Sequence, residues 1–319
     1  MTADAANEPR QRTGIDVAGV FQRYPVTSKI TGNPQDIPEI ESPFHSLYRN
    51  RAAPLETRRW SYHTLRRSCI DISWYTAFAG YWHKVLGNRP MWGPHDFFST
   101  RHELRMRFGS LEVEDGVDPN GHLAAWQRPE TAALLLHCVN KQIEVDCLDT
   151  VTLIEKLAGS FHNLTMLEFG CSTAPVLDTI FDFYPMPASL KYFIADLEAL
   201  PFHYGAYKYR QYANVIPLPL YPIDDFALHC PESCDVIFCH TVFEHLNKPL
   251  KTVQSFTETL KRGGVLSFDY IKSDGAGYDT VHGARERTMV LDYIADNYNI
   301  IVGQVNKEES IGLTFAQKR

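Results

Sequence analysis

The sequence predicts an α/β fold: a doubly wound seven-stranded sheet, mostly parallel, with a reversed C-terminal hairpin strand, preceded by a helical N-terminal cover. Three observations predict it. Short apolar runs in the second half recur at crossover-length intervals, the spacing of a parallel sheet. The last two runs lie too close together for a crossover and read as an antiparallel hairpin. The first half repeats its apolar residues at the helical period instead. Of 319 residues, 44% are hydrophobic and 22% charged, enough to bury a sizeable core.

Taken in order, residues 1–55 read as an extended, partly disordered arm, rich in Pro, polar residues and isolated aromatics (YPVTSKITGNPQDIPEIESPFHSLY). Residues 56–158 read as the helical cover. Its basic cluster RRWSYHTLRR (58–67) reads as a solvated helix face. Ile70, Trp74, Phe78 and Trp82 recur every four residues, with Tyr81 and Val85 beside them, and define one helix face. Pro90 and Gly93 close that segment. HDFFSTRHELRMRF (95–108) predicts another helix with Ser99 as its cap, and VEDGVDPNGH (113–122) predicts a loop. Pro129 opens PETAALLLHCVNKQIE, since a first-turn proline forgoes no hydrogen bond. The run CLDTVTLIEKLAGSF ends near Gly159.

Residues 159–319 carry the strand-like runs: LTMLEF (164–169), LKYFIAD (190–196), NVIPLPL (214–220), CDVIFCH (234–240) and GGVLSFDYI (263–271). YNIIVGQV (298–305) and IGLTFAQ (311–317), with NKEES between them, form the hairpin.

The chemistry gathers around LEFGCSTAP (167–175), which joins a strand to a helix. Backbone amides approach a ligand closely only where side chains are small. Gly170, Ser172 and Ala174 are small and alternate. A dinucleotide fingerprint needs G-x-G-x-x-G; here Ser172 and Pro175 break it, and a plain tight turn is the simpler reading of the loop alone. Asp196, at the end of the next strand, is placed where an acid accepts both hydroxyls of a ribose.

These segments, together with HTVFEHLNKP and LKRGGVLSFDYI, resemble the class I S-adenosylmethionine-dependent methyltransferases. LEFGCSTA is similar to their first motif, FIADLEAL to the second, PIDDFALHCPESCDVIF to the adenine-holding segment, and the last two to the fourth and fifth. The resemblance runs from about Asn163 to Arg319 and implies a methyltransferase domain whose last strand is reversed and inserted beside the fifth. Ser172 and Ala174 stand where that family usually has glycine. The resemblance implies S-adenosylmethionine as cofactor and a cofactor site of Glu168, Gly170, Cys171, Ser172, Asp196, Leu197, Asp224, Asp225, His240 and Thr241. Glu168 would orient the methionyl amino group; a carboxylate capping the next helix is the alternative. Asp196 would hold the ribose, and Asp224 or Asp225 the adenine.

His245 and His240 are the candidate catalytic bases, since an oxygen or protonated-amine nucleophile needs a base near pH 7. A packing or cofactor-shell role is the plainer reading. HTVFEH contains one residue more than the zinc motif H-x-x-E-H, so no metal is expected. Cys230, Cys234 and Cys239, spaced C-x3-C-x4-C, miss the common zinc spacings too. Tyr270, Asp274 and His282 are candidate substrate contacts after the fifth strand. Trp60, Trp74, Tyr75, Tyr81, Trp82 and Trp92 are candidates to line a cover over the pocket, or else to pack between helices.

The function expected is transfer of a methyl group from S-adenosylmethionine to O, N or C of a small-molecule acceptor, of the kind found in specialised metabolism. A peptide or protein acceptor, or a non-catalytic cofactor-binding scaffold with a degenerate loop, stays open. Pro175 and the terminal hairpin argue against an NAD-dependent oxidoreductase. Nucleic acid is not expected: the formal net charge is −7, and CHTV stands where base-modifying enzymes carry an Asn-Pro-Pro-Tyr type motif. The N-terminal MTADAANEPRQR has no apolar core and no run is long enough to span a bilayer, so neither export nor membrane is expected. Seven irregularly spaced cysteines fit a reducing, cytoplasmic setting. A homodimer is left open.

Overall fold

The computed structural model describes residues 15–26, 41–108, 126, 128, 131–221, 230–273 and 279–319. Seven strands build one sheet: β1 (Thr165–Phe169), β2 (Lys191–Leu197), β3 (Val215–Leu220), β4 (Cys234–Cys239), β5 (Leu260–Tyr270), β6 (Tyr298–Val302) and β7 (Ile311–Lys318). Their order is β3-β2-β1-β4-β5-β7-β6. Strands β1 to β5 pair in parallel, while β7 runs antiparallel between β5 and β6. The order reverses between β1 and β4, and a crevice opens at the carboxyl ends of strands there.

Successive strand residues face opposite sides. Met166, Ile194 and Val236 enter one core with α7 (Leu148–Ala158) and α8 (Pro175–Phe183). Leu167, Phe193 and Ile237 enter the other with α10 (Pro249–Thr259) and α11 (Val281–Asn297). Each fully buried side chain of this size contributes roughly 1.5–3 kcal/mol.

The N-terminal helices are α1 (Val17–Arg23), α2 (His45–Tyr48), α3 (Leu55–Arg67), α4 (Ser73–Gly80), α5 (Pro94–Phe108) and α6 (Thr131–Glu144). A π-helical turn, Tyr81–Val85, extends α4. Trp74, Phe78, Tyr81 and Trp82 form a third core with Leu135, Leu136 and Val139 of α6. Leu200, Tyr204 and Tyr207 of α9 (Leu200–Tyr209), the helix after β2, complete it.

Four expectations are corrected here. The arm is not extended throughout. Asp16 accepts from the Gly19 amide at 2.8 Å and caps α1, which buries Val17 and Val20. Ile70 is off the helical face: it sits in the turn after α3 and is 57% exposed. Ser99 lies inside α5 and caps nothing. The cluster at 58–67 is not a solvated face, because Arg58 and Arg66 are buried. Arg58 donates to the Phe183 carbonyl at 2.8 Å. Arg66 donates to Asp182 at 2.8 Å, as Tyr62 does at 2.9 Å, and His45 Nε2 lies 3.1 Å from the same carboxylate. Burial pushes the Asp182 carboxyl up, but Arg66 and His45 hold it below its ordinary value. This cluster ties α2 and α3 to α8. Pro129 and 113–122 lie outside the described residues.

Candidate active site

The loop after β1 is held by its own backbone. Gly170 and Cys171 donate to the Ala195 carbonyl at 2.8 and 3.2 Å, and Ala174 donates to the Cys171 carbonyl at 2.6 Å. Ser172 donates to Asp196 Oδ2 at 2.5 Å. Val176 and Leu177 donate to the two oxygens of Glu168 at 3.0 and 3.3 Å. Gly170, Ser172 and Ala174 all take left-handed φ, at +67°, +50° and +62°. The two non-glycine residues therefore keep the backbone shape that glycine would take, at a cost of about 1–2 kcal/mol each. A Cβ on Gly205 of α9 would lie 3.2 Å from the Ser172 carbonyl oxygen, so this glycine lets α9 approach the loop.

These bonds decide which ligand suits the loop. A pyrophosphate cradle needs several free amides at a helix N-terminus. Here six amides are engaged internally, and Pro175 has none. Glu168 already occupies the helix terminus that a pyrophosphate would need, while Asp196 keeps the position of a ribose acid. That arrangement disfavours a pyrophosphate and leaves room for a ligand carrying a ribose.

Glu168 is 3% exposed and accepts a third bond from the Tyr192 hydroxyl at 2.9 Å. Burial pushes its carboxyl up to about 7 against these three donors. Helix capping is thus what Glu168 does in this structure, and it also reaches the cavity wall. Asp196 accepts from the Leu197 amide at 2.7 Å as well as from Ser172. Burial pushes it up to about 6.

A cavity of about 440 Å³ runs along the crevice. Glu168, Gly170, Cys171, Ser172, Asp196, Leu197, His240, Thr241 and His245 all line it. Asp224, Asp225 and Asp274 lie outside the described residues. His240 directly follows β4 with Nε2 2.9 Å from Ser267 Oγ, and burial pulls its imidazole down to about 4. His245 closes a short 3₁₀ turn (Phe243–His245), and its Nδ1 lies 2.9 Å from Asp279 Oδ1. Thr241, at φ +51°, donates its amide to Asp269 at 2.5 Å.

Two expected substrate contacts are elsewhere. Tyr270 is fully buried and donates to the Gly283 carbonyl at 2.6 Å, away from the cavity wall. His282 is exposed on the first turn of α11. Of the two readings of the aromatic residues, packing holds for three. Trp74, Tyr81 and Trp82 are core, while Trp60 and Trp92 are 68% and 88% exposed. The cover contributes other residues: Trp126, and Leu134, Cys138, Lys141 and Val145 around α6. Those four recur at i, i+4, i+7 and i+11, one helical stripe beside the apolar one. Gln142 of α6 donates to the Thr173 carbonyl at 3.2 Å and to its hydroxyl, tying the cover to the loop.

Among the described residues no helix is long and apolar enough to cross a membrane, and no group of three His, Cys, Asp or Glu is placed to hold a metal. Residues 167–266 match a family model described as a methyltransferase domain. No curated protein matches the chain. Solved structures that resemble it include a SAM-dependent methyltransferase from Aquifex aeolicus, with 17% identity over 56% of this chain and 93% of that one, at a TM-score of 0.42. Magnesium protoporphyrin IX methyltransferase from Synechocystis PCC 6803, solved with bound SAM, has 13% identity over 70% and 93%, at 0.38. An N-methyltransferase from Bradyrhizobium japonicum WM9 has 12% identity over 53% and 93%, also at 0.38. Alignments this distant identify no substrate. The family match falls on the loop, the ribose-type acid and the strand that leads into His240, and the sheet carries its reversed strand beside β5. On those grounds residues 167–266 form a methyltransferase domain, carried on a doubly wound sheet.

Proposed function

We propose that the protein moves a methyl group from S-adenosylmethionine to the oxygen or nitrogen of a small-molecule acceptor, in the cytoplasm. The observation that carries this reading is a continuous cavity that joins the loop and Asp196 to His245 under the wall of α6. Its walls are largely apolar, from Trp126 and Leu134 to Leu246, which suits an acceptor with an apolar body. All seven cysteines are free thiols, in keeping with a reducing compartment.

S-adenosylmethionine supplies a methyl group on a sulfonium, open to in-line displacement. Asp196 would accept the ribose hydroxyls. Asp196, pushed up only to about 6, would place negative charge along the wall that faces the cation, and Glu168, at about 7, would carry part of a charge beside it. Gly170, Ser172 and Ala174 allow the backbone to come close. The protein then has to align the acceptor and take its proton. His240, with its imidazole pulled down to about 4, is neutral at pH 7 and is a poor base. His245 is the better one. Asp279 faces Nδ1, so the carboxylate holds the proton there and the basic lone pair is on Nε2.

Two measurements test this. In calorimetric titration with S-adenosylmethionine and S-adenosylhomocysteine, the wild type binds, and Asp196→Asn binds roughly 10- to 100-fold more weakly, the loss of a charge-assisted contact. Equal affinity would remove Asp196 from the ribose. In an acceptor screen read by mass, His245→Gln lowers kcat by about 10²–10⁴-fold at unchanged cofactor affinity. Full turnover in that variant would sink the base assignment.

A further inference from the structure

Cys230 and Cys234 lie at the start of β4, the end of the strand opposite His240, and neither lines the cavity. Their sulfurs are 3.7 Å apart. Cys234 is fully buried, and Cys230, in the chain that leads into the strand, is half-buried. Cys239, the third cysteine of the run, is buried further along β4 and takes no part. Pro231, Glu232 and Ser233 between the pair belong to no helix or strand, so the two side chains can close on each other without breaking a ladder.

We propose that Cys230 and Cys234 form a redox modification site, a dithiol that a disulfide oxidant such as oxidised glutathione converts reversibly into an intramolecular disulfide. The pair is chemically unequal, as such a reaction requires. Hydrogen bonding from Cys234 lowers the Cys230 thiol to about 7, while its own thiol is raised by the same bond and by burial. Cys230 is therefore the attacking thiolate and Cys234 the resolving thiol. The Cys230 thiolate attacks one sulfur of the oxidant. The oxidant's S–S bond breaks, and one glutathione thiolate leaves. Cys234 gives up its proton and attacks the Cys230 sulfur of the mixed disulfide, expelling the second glutathione. Two protein thiols are oxidised, one disulfide is reduced to two thiols, and two electrons pass between them. Closure brings the sulfurs from 3.7 Å to about 2.05 Å.

The test uses the full chain, reduced and then equilibrated with mixtures of oxidised and reduced glutathione. Remaining thiols are alkylated and peptides are weighed. The expected result is a loss of two hydrogens on the peptide that holds both cysteines, two of seven thiols protected, and full reversal by dithiothreitol. Cys234→Ser should instead accumulate one glutathione on Cys230, and Cys230→Ser should show neither product. Cys234→Ala, which retains an apolar group in the buried position, repeats the first variant if the serine weakens the fold. Phenylarsine oxide, which bridges neighbouring thiols, should bind once to the wild type and not to either variant. A wild type that holds a stable glutathione adduct on Cys230, keeps all seven thiols, or forms its disulfide elsewhere would overturn the proposal.

Discussion

Replacing Gly170 by alanine tests how the loop is built. Gly170 has φ +67°, and a Cβ there would lie 2.9 Å from Val242 Cγ1 and 3.2 Å from its Cβ, with Cγ2 nearer still. Two costs follow. The left-handed conformation costs an alanine about 1–2 kcal/mol, partly offset by a stiffer unfolded chain. Overpacking against a buried valine costs about 1–3 kcal/mol. The expected destabilisation is roughly 2–4 kcal/mol, read by urea unfolding. The two costs separate in a double-mutant cycle. Val242→Ala removes both offending methyl groups at a price of about 2 kcal/mol of its own. In the double variant the overpacking disappears and the backbone cost stays. The double variant should therefore be more stable than the sum of the singles by about 1–3 kcal/mol. Additivity within about 0.5 kcal/mol, or a Gly170→Ala cost under 1 kcal/mol, would refute the close packing of loop and β4 turn.

Two more outcomes can be checked by unfolding. The Glu168 carboxyl has a folded value of about 7 against an ordinary 4.5. The folded state thus keeps a proton that the unfolded state releases first. Its stabilising effect is full below pH 4.5, declines as pH rises, and is lost above about 7, a change of about 3 kcal/mol. The stability difference between wild type and Glu168→Gln should shrink by that amount from pH 4.5 to 7.5; a constant difference would contradict the burial. Arg66→Met leaves Asp182 buried without its guanidinium, and urea unfolding should show a loss of about 3–5 kcal/mol. Asp182→Asn in that background removes the charge and keeps an acceptor for Tyr62 and His45, so it should recover most of the loss, and no recovery would mean that Arg66 stabilises by packing instead.

The sheet was legible because a parallel strand buried in the sheet reads as a short apolar run, as β1 to β5 do, while the short connection between β6 and β7 gave away the hairpin. The loop was legible as a departure from the glycine pattern, but not in its outcome. Only backbone angles reveal that Ser172 and Ala174 hold the glycine conformation. Glu168 shows the same limit: one carboxylate serves the helix terminus and the cavity at once, and a motif names only one role. Asp279 follows His245 by 34 residues (279 − 245) with no motif between them, and only the meeting of the β4 turn with the start of α11 pairs them. Helical periodicity left the aromatic residues between a cover and a core, because it reports a buried face without saying what buries it. Here α9 does, so Trp74 and Trp82 turn away from the ligand.

That third core has a consequence for how the protein is made. Trp74, Phe78, Tyr81 and Trp82 leave the ribosome more than a hundred residues before Leu200, Tyr204 and Tyr207, which complete their cover. At roughly 5–20 residues per second, the aromatic face stands only partly covered until about ten seconds of further synthesis supply α9. Growth temperature and chaperone supply should therefore affect the yield of this protein separately from the stability of the finished fold.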